Sequence, residues 1–291
     1  MNIVFQIDGG LGKCIMATAV CECIKNHHPE AKLIVVSGYP DVFLNNPNVD
    51  RSYGFGQQSY FYEEFIEDKD CIVHAHNPYL EIAHIQGTEH LLKTWCKMFG
   101  YQYNGEYPKL YLTARELEFF SAKYRSDKPI LTLQTNGGAP NQEVKYSWAR
   151  DLPYAVAQDV VDHFKGTHNV VHIRREDQPE LKNAITVSDN FRSLCVLLMM
   201  SDKRLLIDSF AQHAAAALLL PSVVCWVANK KGVFGYDTHT NIEANPFTKK
   251  PELRNAYLGK FNIIGDPLEF PYHSEKEIFN SQDIIKALEE I

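Results

Sequence analysis

The chain has 291 residues, 45% hydrophobic and 22% charged, with a formal net charge of −7. This composition fits a globular protein of one large or two medium domains, and its negative balance excludes a general attraction to nucleic acid or anionic lipid. The 7 cysteines form no CxxC pair and are expected to be reduced core thiols of a cytoplasmic protein. No apolar run approaches the roughly 20 residues of a membrane helix, and no signal-peptide pattern precedes the first strand.

Asn2–Ile7 (NIVFQI) is expected to be a strand, followed by a glycine turn at residues 8–13, a helix at 14–25 and a second strand at Lys32–Ser37. This β–turn–α–β opening is that of a doubly wound domain. The turn is not a P-loop, because Ile7 stands where a GxxxxGK pattern needs its first glycine, and Cys14 where Ser or Thr is needed. A dinucleotide fingerprint fits no better: the glycines are 9, 10 and 12, and the second strand ends in Ser37-Gly38 rather than an acid. What remains is a glycine turn that lets a substrate approach the backbone closely, with Asp8 and Lys13 at its two ends. Tyr39–Asp50 reads as loop, 59–67 as helical, and Asp70–Ala75 as a strand. His74 and His76 at its end are read as facing apart and therefore as poor joint metal ligands, with His76 turned toward a cleft. Glu89–Phe99 reads as a helix stopped by Gly100. Thr113 and Glu116 form a capping box, and Ser126-Asp127-Lys128-Pro129 a linker.

Ile130–Thr135 begins a second half with the same grammar: a strand, then Asn136-Gly137-Gly138. Lys145-Tyr146-Ser147-Trp148 precedes a helix at 153–164, and Asn169–Ile173 is the next strand, ending in Arg174-Arg175-Glu176-Asp177. Two adjacent arginines are suited to forking onto phosphate oxygens; the alternative is a solvated turn with local ion pairs. Phe191–Met200 reads as a helix. Leu205–Ile207, an alanine-rich helix from Ala211 to Leu220 and Val223–Val227 form a βαβ unit. Its helix begins after Asp208-Ser209 and presents free N–H groups and a positive dipole end, an anion site suited to phosphate or diphosphate. Ser209 adds a hydroxyl there, Gln212 adds an amide, and His213 lies about one turn along. Residues 237–272 read as irregular, and 274–291 as a final amphipathic helix.

These motifs resemble glycosyltransferase family 9, the ADP-heptose:lipopolysaccharide heptosyltransferase group. The family's GxGD-like turn and small-residue helix are matched by Gly10-Leu11-Gly12-Lys13-Cys14-Ile15-Met16-Ala17. Its second glycine turn and KxW-like element are matched by Thr135–Gly138 and Lys145-Tyr146-Ser147-Trp148, one residue longer. Its D-[ST]-G-x-x-H helix start is matched by Asp208-Ser209-Phe210-Ala211-Gln212-His213. The resemblance implies the GT-B plan, an α/β fold of two Rossmann-like domains facing across a cleft. Residues 1–127 would form the acceptor domain, 128–272 the donor domain, and 273–291 a helix packing back toward the first half. It implies inverting transfer of a hexose or heptose from a nucleotide-diphosphate sugar, with no cofactor and no metal. The acceptor hydroxyl would belong to a glycan or a hydroxylated nucleobase. Donor-binding residues would be Gly10, Gly12, Asn136, Gly137, Lys145, Arg174, Arg175, Asp208, Ser209, Gln212 and His213, with His76 on the acceptor side.

Two positions depart from the family. Lys13 occupies the place of its catalytic aspartate, which leaves Asp8 as the candidate base and Lys13 as a second catalytic or phosphate-binding group. Phe210 replaces the motif's glycine. His172-Ile173-Arg174-Arg175-Glu176-Asp177 also resembles the HxRRxD peptide of GDP-fucose fucosyltransferases, which likewise begin with GGLG. A nucleotide-sugar epimerase or hydrolase, and a non-catalytic nucleotide-sugar sensor, remain as alternatives of other classes.

Overall fold

The computed structural model describes residues 1–138, 150–248, 250 and 272–291. The Lys145–Trp148 element and most of the irregular stretch 237–272 lie outside the described residues. The elements in order are β1 (Asn2–Ile7), α1 (Leu11–His27), β2 (Lys32–Ser37), β3 (Arg51–Tyr53), α2 (Phe61–Phe65), β4 (Cys71–His74), α3 (Ile82–Gln86), α4 (Leu91–Met98) and α5 (Ala114–Ser121). They continue with β5 (Ile130–Leu133), α6 (Tyr154–Phe164), β6 (Asn169–Ile173), β7 (Ile185–Val187), α7 (Phe191–Met200), β8 (Lys203–Ile207), α8 (Phe210–Ala217), β9 (Val223–Trp226), α9 (Lys231–Phe234), β10 (Thr240–Glu243) and α10 (Ser281–Glu289).

The chain divides into two compact units, Met1–Leu117 and Glu118–Ile291. Each is built on its own parallel sheet, four-stranded in the order β3-β2-β1-β4 and six-stranded in the order β10-β9-β8-β5-β6-β7. Parallel strands need both faces covered, so they read as continuous apolar runs: Ile3, Val4, Phe5, Leu33, Ile34 and Val35 are all buried. In the first unit α1 has almost no polar face, and its residues from Lys13 to Cys21 are buried. Phe5 meets Trp95 of α4 edge-on at 5.5 Å between ring centres. In the second unit Leu131, Leu205 and Ile207 share one core with Val160 and Phe164 of α6.

Two boundaries differ from the sequence reading. The second unit begins inside α5, earlier than the expected linker at 126–129. Tyr124 donates to Asp189 Oδ2 at 2.8 Å, and Lys123 pairs with the same carboxylate. The segment after α5 is therefore tied to the amino end of α7. The closing helix has its apolar face in the core of its own unit. Ile284, Ile285 and Leu288 of α10 lie in the second unit's core beside α6, and Ser281 donates to Asp159 at 3.1 Å. Asn280 caps α10 by accepting from Gln282 N at 3.1 Å, so the helix starts later than the expected residue 274. The strands that sequence reading missed, β3, β7 and β10, are all edge strands of three or four residues. Their short, partly polar sequences carry no apolar run.

Candidate functional site

In the six-stranded sheet the chain enters at β5 and lays β6 and β7 outward on one side. It then returns to place β8, β9 and β10 outward on the other. β5 and β8 are therefore neighbours whose continuations leave in opposite directions. The carboxyl ends of such a pair open the crevice where doubly wound sheets hold ligands. From β5 comes Gln134-Thr135-Asn136-Gly137; from β8 come Asp208, Ser209 and the start of α8. Gln134 joins the two, donating from Nε2 to Ser209 Oγ at 3.3 Å and accepting from Ala211 N at 3.3 Å. Ser209 is the N-cap residue but makes no side-chain capping bond; the amide of Gln134 caps α8 in its place. Asp208 is 8% exposed and accepts from Asn229 Nδ2. Burial pushes its pKa up, against the Asn229 hydrogen bond and the charge of Arg150.

The second glycine turn is held from both sides. Asp151, 2% exposed, accepts from Asn136 Nδ2 at 3.1 Å and from Gly137 N at 2.9 Å. Arg175 donates to Gly138 O at 2.8 Å, and Gln178 donates to Gly137 O at 3.2 Å. A Cβ at Gly137 would stand 3.0 Å from Arg150 Nε, so a side chain there would push that guanidinium back by a few tenths of an ångström. Asn136, Gly137, Arg175, Asp208 and Ser209 thus belong to the loops at this edge of the sheet. Lys145 lies outside the described residues.

Three expected donor ligands are differently engaged. His213 is 4% exposed, and its Nδ1 lies 2.9 Å from the hydroxyl of Tyr236. Gln212 is fully buried and donates to Phe234 O at 3.2 Å. Through these bonds the α9 segment and Tyr236 are tied to the first turns of α8; Gln212 also hydrogen-bonds Asp208, and its Oε1 is buried with no hydrogen-bond partner among the described residues. Arg174 closes its own turn, donating through Nη2 to Gln178 O at 2.7 Å and to Glu176 O at 3.1 Å. The local ion pair of the alternative reading is made by Arg175, whose Nε donates to Asp177 Oδ1 at 3.2 Å while its Nη1 reaches the glycine turn.

The first sheet has its own switch point, between β1 and β4. Asp8 is exposed at the carboxyl end of β1. Gly9 has φ of +112°, which side-chain-bearing residues rarely adopt. α1 starts at Leu11, earlier than expected, and this carries Lys13 out of the loop and into the first helical turn. Helical side chains lean toward the amino end, so Lys13 folds back over Gly9 and is 6% exposed. Its ammonium donates to Asn77 Oδ1 at 2.9 Å and lies over the rings of Tyr79 and Trp95, 4.8 and 5.4 Å from their centres. Burial lowers its pKa, against the opposing charge of Asp8.

His74 is buried and meets the Tyr101 hydroxyl at 2.9 Å, while His76 is exposed. Strand alternation does not separate them, since residues two apart share a face; β4 ends at His74 and His76 has left the strand. An Asp-x-Asp spacing of the metal-motif kind exists in the chain, at Asp68-Lys69-Asp70. It sits at the amino end of β4, where Asn2 N donates to Asp70 O at 2.7 Å, on the sheet edge opposite Asp8. Among the described residues no three His, Cys, Asp or Glu side chains converge to hold a metal.

Sequence reasoning missed Gln134, Arg150, Asp151 and Asn77; of these only Gln134 carried a signal, as a polar residue at the end of an otherwise buried strand. Asn229 and Tyr236 belong to the basic, aromatic loop 228–236, which the sequence marks as able to cradle a sugar or a base, and here they bond to Asp208 and His213.

No protein-family model and no curated sequence matches the chain. Two parallel doubly wound sheets, each with polar loops at a switch point, define the class: an α/β protein of the GT-B fold. Within that class the chain has the fold of glycosyltransferase family 9 structures. The family 9 glycosyl transferase from Veillonella parvula matches at a TM-score of 0.68 and 14% identity, over 99% of this chain and 96% of that one. The ADP-heptose LPS heptosyltransferase II of E. coli matches at 0.63 and 12%, over 100% of both. The dodecameric iron-containing heptosyltransferase TibC of E. coli, solved with ADP-D-beta-D-heptose, matches at 0.69 and 13%, over 99% of this chain and 75% of that one. Among the described residues no helix is long and apolar enough to cross a membrane.

Proposed function

We propose that this protein is a glycosyltransferase that moves a sugar from a nucleotide-diphosphate donor to a hydroxyl acceptor, with inversion and without a metal. The observation that carries the reading is the crevice between β5 and β8. There a buried amide, Gln134, caps α8 from the neighbouring strand and leaves Ser209 at the helix start. Structures with this fold have been solved with ADP-heptose, which supports a nucleoside diphosphate as the group held there.

The leaving diphosphate gains negative charge as the glycosidic bond breaks. Donors fixed before the reaction stabilise that charge most. The amino end of α8, Ser209 and the Gly137 turn with Arg175 supply them. His213 and Gln212 act one step back, by fixing the segment that covers α8. In the first unit Asp8, an exposed carboxylate at a strand end, takes the proton of the acceptor hydroxyl.

The test is a panel of nucleotide sugars scored by thermal shift and by release of nucleoside diphosphate. A binding donor raises the melting temperature. Ser209→Ala and Arg175→Ala should each weaken its affinity several-fold. If no member of the panel stabilises the protein, or if both variants bind the donor as well as the native chain, the reading is lost.

A further inference from the structure

We propose that Lys13, with the amino end of α1, forms an oxyanion site in the first unit: a place for a phosphate or carboxylate group of a substrate. An ammonium has three donors, and among the described residues one side chain accepts from Lys13, the neutral Asn77 at 2.9 Å. The ring faces of Tyr79 and Trp95 offset part of the desolvation. Asp8 contributes only at longer range, so two N–H groups of a buried cation are left for a ligand. The placement is also opposed by the helix. Lys13 is the third residue of a 17-residue helix whose first turn carries no acid and whose N-cap, Gly10, supplies no side-chain bond. The positive end of the dipole favours an anion there, not a cation. A buried lysine at an uncapped helix start is a costly arrangement, and an oxyanion relieves both parts of it. The turn beside it is open: Gly9 and Gly10 are exposed, and a Cβ at Gly10 would meet nothing within 4 Å.

The oxyanion belongs either to an acidic acceptor or to the donor's diphosphate. That choice rests on the transferase reading; the site itself does not. Side-chain 15Nζ NMR of the full chain reports on Lys13 directly, with its resonance assigned by its loss in Lys13→Met. Inorganic phosphate, ADP, glucose 6-phosphate and glucuronate are titrated in turn, with calorimetry alongside. The expected result is a shift of the Lys13 resonance with phosphate. The ligand that moves it should bind about tenfold weaker or worse to Lys13→Met, a loss near 1.4 kcal/mol, with affinity kept in Lys13→Arg. A response to ADP assigns the site to the donor; a response to glucose 6-phosphate or glucuronate without ADP assigns it to an acidic acceptor. A shift with phosphate but no ADP binding anywhere on the protein keeps the oxyanion site and removes the donor reading. A merely structural lysine would lower the melting temperature on replacement by Met, whereas an uncompensated cation would not. A resonance unmoved by all four probes overturns the proposal.

Discussion

Asp8 and Lys13 lie at the two ends of one glycine turn, yet the fold treats them oppositely. The carboxylate is exposed, while the ammonium is packed against rings. A base must reach its proton, so Asp8 is the group to test for that role. Asp8→Asn keeps the shape and removes the basicity; turnover should fall by roughly 10²–10⁴-fold, the usual worth of general base catalysis. ADP affinity, measured by calorimetry, should stay within a factor of two to three, because a carboxylate offers no hydrogen-bond donor to a diphosphate. Turnover close to that of the native chain would exclude Asp8 from the mechanism. At this scale the sequence was a partial guide. Asp8, Asn136, Asp208 and Ser209 were legible, because a polar residue just past an apolar strand must lie at the sheet's carboxyl edge. His213 was not, because its fate depends on Tyr236, more than twenty residues away and unconnected by any periodicity. Lys13 was misplaced for a local reason: α1 begins before the last glycine of the turn, and no cap residue marks that start.

Among the elements, central strands and capped helices were the readable parts. α7 runs Phe191–Met200 as expected, behind an Asn190 side chain that accepts from Ser193 N at 2.9 Å. The Thr113–Glu116 capping box forms with both reciprocal bonds, at 2.8 and 3.2 Å. The unit boundary was harder to read, because it is fixed by tertiary bonds. Ser126–Pro129 has linker composition, yet Tyr124 just before it is buried against α7. Its hydroxyl meets Ser193 Oγ at 2.7 Å and Asp189 at 2.8 Å. Burial works against the Asp189 carboxylate, but hydrogen bonds from Lys123, Ser193 and Tyr124 hold its pKa well below the usual range. Tyr124→Phe deletes one member of that network and leaves the ring in place. It should cost about 1–2 kcal/mol, the worth of a bond to a charged group less partial rescue by water. Denaturant unfolding of the full chain measures it. A change under a few tenths of a kcal/mol would mean that this segment is not anchored through the hydroxyl.

At the scale of the whole molecule, both units bury neutral histidines, and this gives the protein an acid sensitivity its surface does not suggest. His74 in the first unit, and His172 and His239 in the second, are 8%, 1% and 6% exposed. Burial first, then neighbouring positive charge, lowers each to about 4 from an ordinary 6.5; for His239 a hydrogen bond to Gln212 O opposes this. His172 illustrates the arrangement, with Nε2 bonded to Thr135 at 2.7 Å beneath the second glycine turn. A histidine with a depressed folded pKa binds its proton more readily when unfolded. Its stabilising effect is therefore complete above about pH 6.5 and is lost as the pH falls from there to about 4. At pH 5 each group is worth at most about 2 kcal/mol, from 1.36 kcal/mol per unit of difference. Asp208 acts with the opposite sign: its carboxyl is pushed up by burial, so it favours the fold where it is protonated and offsets part of the loss in the second unit. The melting temperature should accordingly fall between pH 7.5 and pH 5, with the fall largest below 6.5. Hydrogen exchange read by mass spectrometry, corrected for the intrinsic pH dependence of exchange, separates the units. Protection should drop in both units, because His74 and His84 in the first and His172 and His239 in the second are all held below the ordinary value by burial. A melting temperature flat from 7.5 to 5 would show that these imidazoles are hydrated in the folded chain. A larger drop in the first unit, with a flat profile restored by His74→Gln, would place the decisive group at His74, beside Tyr101 and Phe99.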